Sequence, residues 1–493
     1  MNRTFLFLSL FLIILNCSRE NNTDGVYDIN NKFSIAELHE DYQLLRTALE
    51  EAHAGLYRYT TKEEFDLFFD SLRTQIDTEM TEIEFFRFLV PLIAKINCVH
   101  TGIVLSSNYE IAVKALRKYF PFKLTFISGK AYIVKSYDKG NKVTPGSELI
   151  AINKLRINKL LTILFRRMSS DGQNNTYKYR FLDRYFPELY FNLIAQPDSF
   201  KISFIPYGQE KSQIHTLTAI SLKEIIKRRP SFQELYKECL KFRIIEDSKI
   251  AVLTVQTFIP RIVEQLNINY TNFIDSTFSE IKKQNIDNLI IDIRWNDGGK
   301  EHFIYYLLSK FLPEPFQYYS RVDAPRTRFS FLKHTDKGFL FKYFYPLTYR
   351  KDKSTGRYLL RGSWNKHIQP TKAHFNGNVY ILMNGYSFSG AAEFAALAHS
   401  NDKNNKIKLI GEETGGAYYG NNSGDWISLA LPNSKITVRI PLRSYLLAVS
   451  DYPYPDRGVV PDIEVNPKIE NVINGKDTEL EFTINFIEQS KTL

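Results

Sequence analysis

The segment around Ser389 combines the residue types needed for covalent catalysis by a hydroxyl group. An apolar run at 379–383 leads into a short turn, and an Ala-rich run begins at Gly390. This order predicts a strand, a tight turn and a helix that starts at Ser389. Unpaired backbone N–H groups and the positive end of the helix dipole would stabilise an oxyanion there. The predicted chemistry is nucleophilic attack by the Ser389 hydroxyl. The alternative is an N-cap serine, the commonest use of Ser at a helix start.

A second segment, residues 288–299, supplies a glycine pair. A buried apolar strand runs into Gly298 and Gly299, which lets the backbone approach a substrate closely and turn its N–H groups toward it. Strands of a parallel sheet end at one edge, so this loop and Ser389 are expected to meet. We therefore predict oxyanion donors among Gly298, Gly299 and Gly390. The alternative is an ordinary turn before a helix that starts near His302.

Four short motifs resemble those of the C-terminal-processing (tail-specific) serine peptidases. They are the Asp-Ile-Arg-Trp-Asn-Asp-Gly-Gly loop at 292–299, the nucleophile turn at 386–393, Gly-Glu-Glu-Thr-Gly-Gly at 411–416 and Arg-Gly-Val-Val-Pro-Asp at 457–462. One extra residue separates Ser389 from Glu393 compared with the family pattern. Residues 145–153 also resemble the core of a PDZ domain, with Lys154 in place of the usual Gly. Including this stretch, the resemblance covers about half of the chain.

The resemblance implies an α/β fold: a crotonase/ClpP-like catalytic core joined to a PDZ-like β domain and an N-terminal helical domain. It also implies hydrolysis of extended peptides or protein C-terminal tails through an acyl-enzyme on Ser389. No metal or cofactor is expected. A PDZ-like sheet edge would hold an extended peptide as an added strand.

The general base is assigned through one branch of the family. Many members carry a Lys shortly after the Gly-Glu-x-Thr segment, whereas this chain has Gly-Ala-Tyr-Tyr-Gly at 416–420. The tricorn-like and retinoid-binding-protein-like branch instead places a His before the PDZ-like region, and residues 97–102 are similar to that turn. His100 is the implied base, because an ordinary imidazole pKa suits proton transfer near neutral pH. The alternative is a surface or capping His at a helix end.

A carboxylate is expected to orient His100. Glu413 is the preferred residue because its segment follows the predicted Ser389 helix, and Glu412 and Asp456 are the other candidates. A solvated acidic turn is the alternative for Glu413. Cys98 is a rival nucleophile close to His100, although a buried structural thiol is the favoured interpretation.

The N-terminus predicts a lipoprotein signal peptide over residues 1–17. Arg3 precedes an apolar run at 5–15, which is too short to span a bilayer, and Cys17 follows as the predicted site of lipidation. A polar tether at 18–33 would then place the protein in the cell envelope, lipid-anchored at the periplasmic or outer-membrane face. A plain signal peptide with an incidental Cys is the alternative.

The rest of the chain divides into three predicted domains. Helical spacing of apolar residues predicts an N-terminal helical domain at 34–105, with a capping box at its start. A β-rich, PDZ-like domain is predicted at 110–215 and an α/β peptidase core at 240–490. Within the core, residues 324–374 form an aromatic and basic insertion without a recognisable motif.

Composition limits the remaining classes of function. The net charge of +10 is spread along 493 residues without a long basic run, so nucleic acid is not an expected partner. Cys98 and Cys239 do not make a disulfide framework, and no zinc-type spacing is present. The expected partner is a peptide or an unfolded protein. A non-catalytic peptide- or ligand-binding protein on the same fold is the main alternative. A crotonase-like acyl-CoA enzyme is disfavoured by the signal peptide and the PDZ-like motif.

Overall fold

The computed structural model describes residues 27–490 except positions 115, 139, 141, 142, 247, 363 and 373. Cys17, the predicted signal peptide and most of the tether lie outside the described residues. None of the helices in the described part of the chain is long and apolar enough to cross a membrane. Both described cysteines, Cys98 and Cys239, are buried free thiols.

The N-terminal part is mainly helical. Its first helix begins after Ser34, whose side chain accepts from the Glu37 amide while the Glu37 carboxylate accepts from the Ser34 amide, so the predicted capping box is confirmed. Its elements are β1 (Lys32–Phe33), α1 (Ile35–Ala52), α2 (Lys62–Thr74), β2 (Met80–Thr81), α3 (Glu82–Lys95), β3 (Gly102–Val104) and α4 (Ser107–Val113).

The middle part is built on a six-stranded antiparallel sheet with helices packed on it. The strands of that sheet are β5 (Phe122–Ile127), β6 (Lys130–Ser136), β7 (Ser147–Ile152), β8 (Leu155–Arg156), β9 (Ser199–Ile205) and β10 (Gln213–Thr218). Strands β4 (Lys118–Tyr119) and β11 (Ile220–Ser221) pair with each other, and β12 (Leu240–Ile245) joins the central sheet of the C-terminal part. The helices are α5 (Ile157–Phe165), α6 (Thr176–Leu193), α7 (Leu222–Arg228) and α8 (Phe232–Tyr236). The main sheet runs in the order β10-β9-β7-β6-β5, with β8 paired to β7. The long helix α6 packs against β5, in a stretch that the sequence pattern described only as β-rich.

The C-terminal part carries the predicted α/β core. Its strands are β13 (Ile250–Val255), β14 (Asn288–Asp292), β15 (Phe316–Gln317), β16 (Tyr319–Ala324), β17 (Tyr349–Lys351), β18 (Tyr358–Leu360), β19 (His367–Ile368), β20 (Asn378–Met383), β21 (Ile407–Gly411), β22 (Asn422–Ser423), β23 (Ile427–Ala430), β24 (Thr437–Ile440), β25 (Arg443–Leu447) and β26 (Ile463–Glu464). The helices are α9 (Pro260–Gln265), α10 (Tyr270–Lys283), α11 (Glu301–Leu308), α12 (Phe341–Phe344), α13 (Gly390–Ser400), α14 (Ile469–Ile473) and α15 (Thr478–Ser490), with 3₁₀ turns at Leu332–His334 and Tyr345–Thr348.

The central sheet of this core runs in the order β12-β13-β14-β20-β21-β26. All neighbouring pairs from β13 to β26 are parallel, and β12 alone pairs antiparallel, which confirms the predicted parallel arrangement apart from this edge strand. Apolar side chains cover both faces. One face packs on α10, α11 and α13, and the other packs on α15. The strands are therefore almost continuously apolar, as expected for a sheet buried on both sides.

The N-terminal part and the core are joined through backbone pairing. Strand β3 adds to the β23–β24 hairpin, with Gly102 opposite Arg439. The Ala54 amide also donates to the Pro441 carbonyl at 3.1 Å. One apolar cluster includes side chains from the N-terminal helices, the antiparallel sheet and the β23–β24 hairpin. The segment that carries His100 is consequently fixed against the core.

Candidate active site

The turn between β20 and α13 is tied to the loop that follows β14. The Ser387 amide donates to the Asn384 carbonyl at 2.8 Å, which closes the turn. The Ser387 hydroxyl donates to the Ile293 carbonyl at 2.8 Å. The amides of Trp295 and Tyr386 both donate to Asn384 Oδ1, at 3.2 and 3.0 Å. The two strand-end loops predicted to meet therefore do meet.

Ser389 lies at the N-cap position of α13 and has an unusual backbone conformation. Its φ of 54° and ψ of −127° lie in a region that residues with a Cβ seldom occupy. The Ser389 side chain makes no capping hydrogen bond, so the residue occupies the N-cap position without using its hydroxyl to cap the helix. Its Oγ instead lies 3.2 Å from Nε2 of His100. A strained backbone that points a hydroxyl toward an imidazole is the geometry of a nucleophile elbow.

His100 reaches Ser389 from the short segment between α3 and β3. Pairing of β3 with β24 fixes this segment, and the His100 ring lies 6.1 Å from the ring of Phe388. Burial lowers the pKa of His100 to about 3, and the positive charge of Arg439 adds to this effect. The imidazole is therefore neutral near pH 7, and an unprotonated Nε2 can accept the Ser389 proton.

A residue that the sequence did not single out, Asp171, lies behind His100. One carboxylate oxygen accepts from the Val99 amide at 2.8 Å, and the Gly172 amide donates to the Asn97 carbonyl at 3.2 Å, which holds the Asp171 loop against the His100 segment. The ligand-type atoms of Cys98, His100 and Asp171 all lie within 4.8 Å of one another. Burial raises the pKa of Asp171 to about 6.

Two buried polar atoms in this cluster have no hydrogen-bond partner among the described residues: Nδ1 of His100 and Oδ2 of Asp171. A buried unpaired polar atom costs about 1–3 kcal/mol, so a small rotation that joins the two would be favourable. Asp171 therefore suits the orienting role better than the carboxylates chosen from the sequence. Its Asp-Gly pair is an ordinary turn signal, and only tertiary packing places it beside His100.

Glu413 was predicted to orient His100, and the structure places it elsewhere. Its Oε1 accepts from Arg457 Nε and from the Gly458 amide, both at 2.8 Å, and its Oε2 accepts from the same guanidinium. This pairing locks the 411–416 segment to the 457–462 segment. Within the described residues, no hydrogen bond or ion pair joins Glu413 to His100.

The two other acidic candidates also have different contacts. Oε2 of Glu412 lies 3.3 Å from Arg180 Nε and accepts from the Gly385 amide at 3.4 Å. Asp456 contributes its backbone carbonyl, which accepts from the Gln173 amide at 2.8 Å. That bond supports the Asp171 loop from the side of the core.

The glycines define a candidate oxyanion hole, with one change from the sequence-based assignment. The Gly298 amide donates to Asn296 Oδ1 at 2.8 Å, so it is already committed and Gly298 is not a free donor. At the neighbouring position, the Phe258 amide donates to the Gly298 carbonyl at 2.9 Å and the Lys300 amide to the Phe258 carbonyl at 2.8 Å. These bonds turn the Gly299 N–H away from Phe258.

Gly390 completes this pair of donors. As the first residue of α13 it has an N–H group without an intrahelical acceptor. A methyl group on Gly390 would come within 3.1 Å of the Gly299 nitrogen, so the two amides lie next to each other beside Ser389. Gly298 has a structural role, because its φ is 88° and a Cβ there would lie 2.6 Å from the Gly390 nitrogen.

Cys98 does not have the environment of a nucleophile. Burial raises the pKa of its thiol to about 12, and its Sγ contacts the Asn422 carbonyl at 3.6 Å. Reactive cysteines need a lowered pKa, so a structural thiol is the better description. Cys98, His100 and Asp171 form the group of three potential metal ligands found in the described residues.

Comparison with known proteins agrees with this architecture. Residues 249–465 match the sequence profile of Peptidase family S41. No curated protein matches the chain. Mature CPAF in complex with lactacystin aligns with a TM-score of 0.62 at 14% identity, covering 93% of this chain and 98% of that one. Mature CPAF alone aligns with a TM-score of 0.60 at 14% identity over 89% and 94% of the chains. A putative peptidase from Parabacteroides merdae gives a TM-score of 0.45 at 14% identity over 91% and 96%.

The fold, the elbow at Ser389 and the family match together define a class of protein: the chain is a serine peptidase. Residues 249–465 match the profile of Peptidase family S41, and the α/β fold is similar to that of CPAF.

Proposed function

We propose that the protein cleaves extended peptides or protein C-terminal tails through an acyl-enzyme on Ser389. The observation that carries this proposal is the 3.2 Å contact between Ser389 Oγ and His100 Nε2 at the start of α13. The contact joins a strained serine, a neutral imidazole and unpaired amides in one place. These are the parts that acyl transfer to water requires.

The reaction follows from the position of each group. Ser389 Oγ attacks the scissile carbonyl carbon while its proton passes to Nε2 of His100. The amides of Gly299 and Gly390 hold the oxyanion of the tetrahedral intermediate. The C–N bond then breaks as His100 returns the proton to the leaving amine. Water, deprotonated by His100, hydrolyses the ester in the second half of the reaction.

Asp171 acts in this scheme as a positioning residue. An ionised Asp171 that accepts from Nδ1–H of His100 selects the tautomer in which Nε2 is free to take the Ser389 proton. It also stabilises the imidazolium that forms during attack. The bond from the Val99 amide keeps the carboxylate oriented.

A cavity of about 620 Å³, lined by both basic and acidic side chains, lies next to the loop that precedes Gly298 and Gly299. It lies between the antiparallel sheet and the loop after β14, and Lys123, Arg184, Trp295 and Asp297 are among its lining residues. The Arg184 guanidinium lies 4.0 Å from the ring centre of Tyr386 and 5.1 Å from that of Trp295. A guanidinium that lies over aromatic rings can still donate its N–H groups to a carboxylate. We propose that a peptide tail enters through this cavity, guided by the PDZ-like sheet.

The cellular location remains part of the proposal. The motif around Cys17 supports a secreted lipoprotein held at the cell envelope. Globomycin-sensitive processing and a diacylglycerol modification on Cys17, seen by mass spectrometry, are the expected results in a bacterial host. Unmodified secreted protein would support the plain signal peptide instead.

Fluorophosphonate labelling tests the proposed chemistry. Purified protein beginning at residue 18 is compared with Ser389→Ala, His100→Ala and the control Ser354→Ala, which changes an exposed loop serine. Labelling of the parent and the control, lost in both active-site variants, is expected. Labelling that survives Ser389→Ala would identify a different nucleophile. A folded parent that does not label would favour the peptide-binding alternative.

A further inference from the structure

The insertion carries a group of exposed apolar side chains within nine residues. We call this group the aromatic patch, and it consists of Phe339 (74% exposed), Leu340 (64%), Tyr343 (53%), Phe344 (60%) and Leu347 (68%). Four of its members follow helical spacing through α12 and the 3₁₀ turn after it. This stripe faces outward, the reverse of the usual amphipathic arrangement, in which the apolar stripe faces the core.

The opposite face of the same segment is anchored in the protein. Tyr345 is buried, and its hydroxyl bonds to the hydroxyl of Tyr349 at 2.9 Å. The rings of Phe341 and Tyr345 stack at 4.5 Å. Phe339 and Tyr343 contact each other at 4.9 Å on the exposed side. The outward stripe is consequently held in place by the fold.

The aromatic patch is large for a protein surface. An aromatic side chain carries roughly 150–250 Å², and three are more than half exposed here, together with two leucines. The total is several hundred Å², as large as the biggest patch on a typical monomer, and such patches commonly mark binding surfaces. Other exposed apolar residues, such as Leu67 and Ile111, are scattered in the sequence.

The segment that carries the aromatic patch is rich in basic residues, and Asp425, which lies beside Leu340 and Phe344, is paired with Arg443. Residues 333–353 contain six basic residues and two acidic ones, a difference of 6 − 2 = +4. Both acids already have cationic partners, since Asp336 lies 3.5 Å from Lys337 and Asp352 lies 3.5 Å from Arg321. The basic residues are Lys333, Lys337, Lys342, Arg350, Lys351 and Lys353.

We propose that the aromatic patch docks on an anionic lipid bilayer. Phenylalanine and leucine side chains would enter the boundary between headgroups and acyl chains, tyrosine would lie at the polar interface, and lysines would extend to the headgroups. The net positive charge of residues 333–353 complements an anionic leaflet. Each basic residue close to the surface should raise the binding constant by about fivefold. This inference is independent of the proposed peptidase mechanism.

Tryptophan reporters test the contact directly. The protein begins at residue 18, which removes the predicted signal peptide and lipid anchor, and it carries either Phe344→Trp or the matched control Leu67→Trp, an exposed position on α2. Each is mixed with phosphatidylcholine–phosphatidylglycerol vesicles that contain brominated acyl chains. Quenching of the tryptophan at position 344 but not of the one at position 67 is expected. Equal quenching at both positions, or none at position 344, overturns the proposal.

Vesicle flotation of the same protein, which begins at residue 18, then measures the strength of binding. Replacing Phe339 and Phe344 by Ser should weaken binding by roughly tenfold or more for each residue. Lys342→Gln should weaken it by about fivefold, and only on anionic vesicles. Leu67→Ser should have no effect. Dimerisation in lipid-free buffer that Phe344→Ser abolishes would assign the aromatic patch to a second copy of the chain and refute the bilayer.

Discussion

Replacing Asp171 by Asn should change catalysis and stability in opposite directions. Asn keeps the size of the side chain and can still accept from the Val99 amide through its oxygen. The oxygen with no partner becomes an NH₂ group, which can only donate toward Nδ1 of His100. This favours the tautomer with a proton on Nε2, which cannot take the Ser389 proton. We expect kcat/KM to fall by roughly 10²–10⁴-fold, about 3–5 kcal/mol of transition-state stabilisation.

Stability should move in the opposite direction. The carboxylate of Asp171 has its pKa raised from 3.8 to about 6 by burial. A raised carboxylate pKa contributes stability below pH 3.8 that is lost as the pH rises through about 6, so the ionised group costs stability at neutral pH. The Asp171→Asn substitution removes that cost. The free energy of unfolding should rise by up to about 3 kcal/mol.

Fluorophosphonate labelling rates and urea unfolding at neutral pH provide both readouts, with Asp456→Asn as the control. Asp456 supports the same loop through its backbone carbonyl, which the control leaves unchanged. The reasoning fails if Asp171→Asn labels within about threefold of the parent rate while His100→Ala does not label. Loss of labelling in Asp456→Asn alone would transfer the orienting role to Asp456.

Three further predictions concern the same site. The kcat/KM value should rise with pH through about 6 as Asp171 ionises, because burial keeps His100 neutral, with a pKa of about 3. A pH–rate profile whose acidic limb follows an ordinary histidine pKa would contradict this prediction. Gly390→Ala places a methyl group 2.7 Å from Cδ1 of buried Ile304 and 3.1 Å from the Gly299 nitrogen, so kcat should fall by about 10–10³-fold and thermal stability should fall as well. Glu413→Gln weakens the pairing with Arg457 and should lower the free energy of unfolding by about 1–3 kcal/mol in urea titrations while labelling of the folded enzyme continues.

The sequence predicted the parts of the site that depend on local patterns. Continuous apolar runs identified β13, β14, β20 and β21, because strands covered on both faces have no polar side. Glycines and small residues after two of these strands located the elbow at Ser389. The absence of a Lys after the Gly-Glu-x-Thr segment pointed to His100 as the base. The structure brings His100 and Ser389 together.

The remaining parts of the site depend on packing between distant segments. Glu413 follows the nucleophile helix in sequence, yet Arg457 and the Gly458 amide engage its carboxylate. Gly298 is not an oxyanion donor, because its amide already donates to the Asn296 side chain. Asp171 lies 72 residues after the Val99 amide that it accepts from, and no local pattern distinguishes it from a common turn residue. Each outcome was decided by side-chain contacts that spacing does not encode.

Because β3 pairs with β24, the active site can assemble only late in synthesis of the chain. His100 leaves the ribosome first, and Ser389 follows 289 residues later. At about 5–20 residues per second, roughly 15–60 seconds pass before the nucleophile is made. The strand that fixes the His100 segment, β24, comes later still, since it spans Thr437–Ile440. A nascent chain thus cannot hold His100 against Ser389 until residue 440 has been made, which would protect the chain and its neighbours from early cleavage.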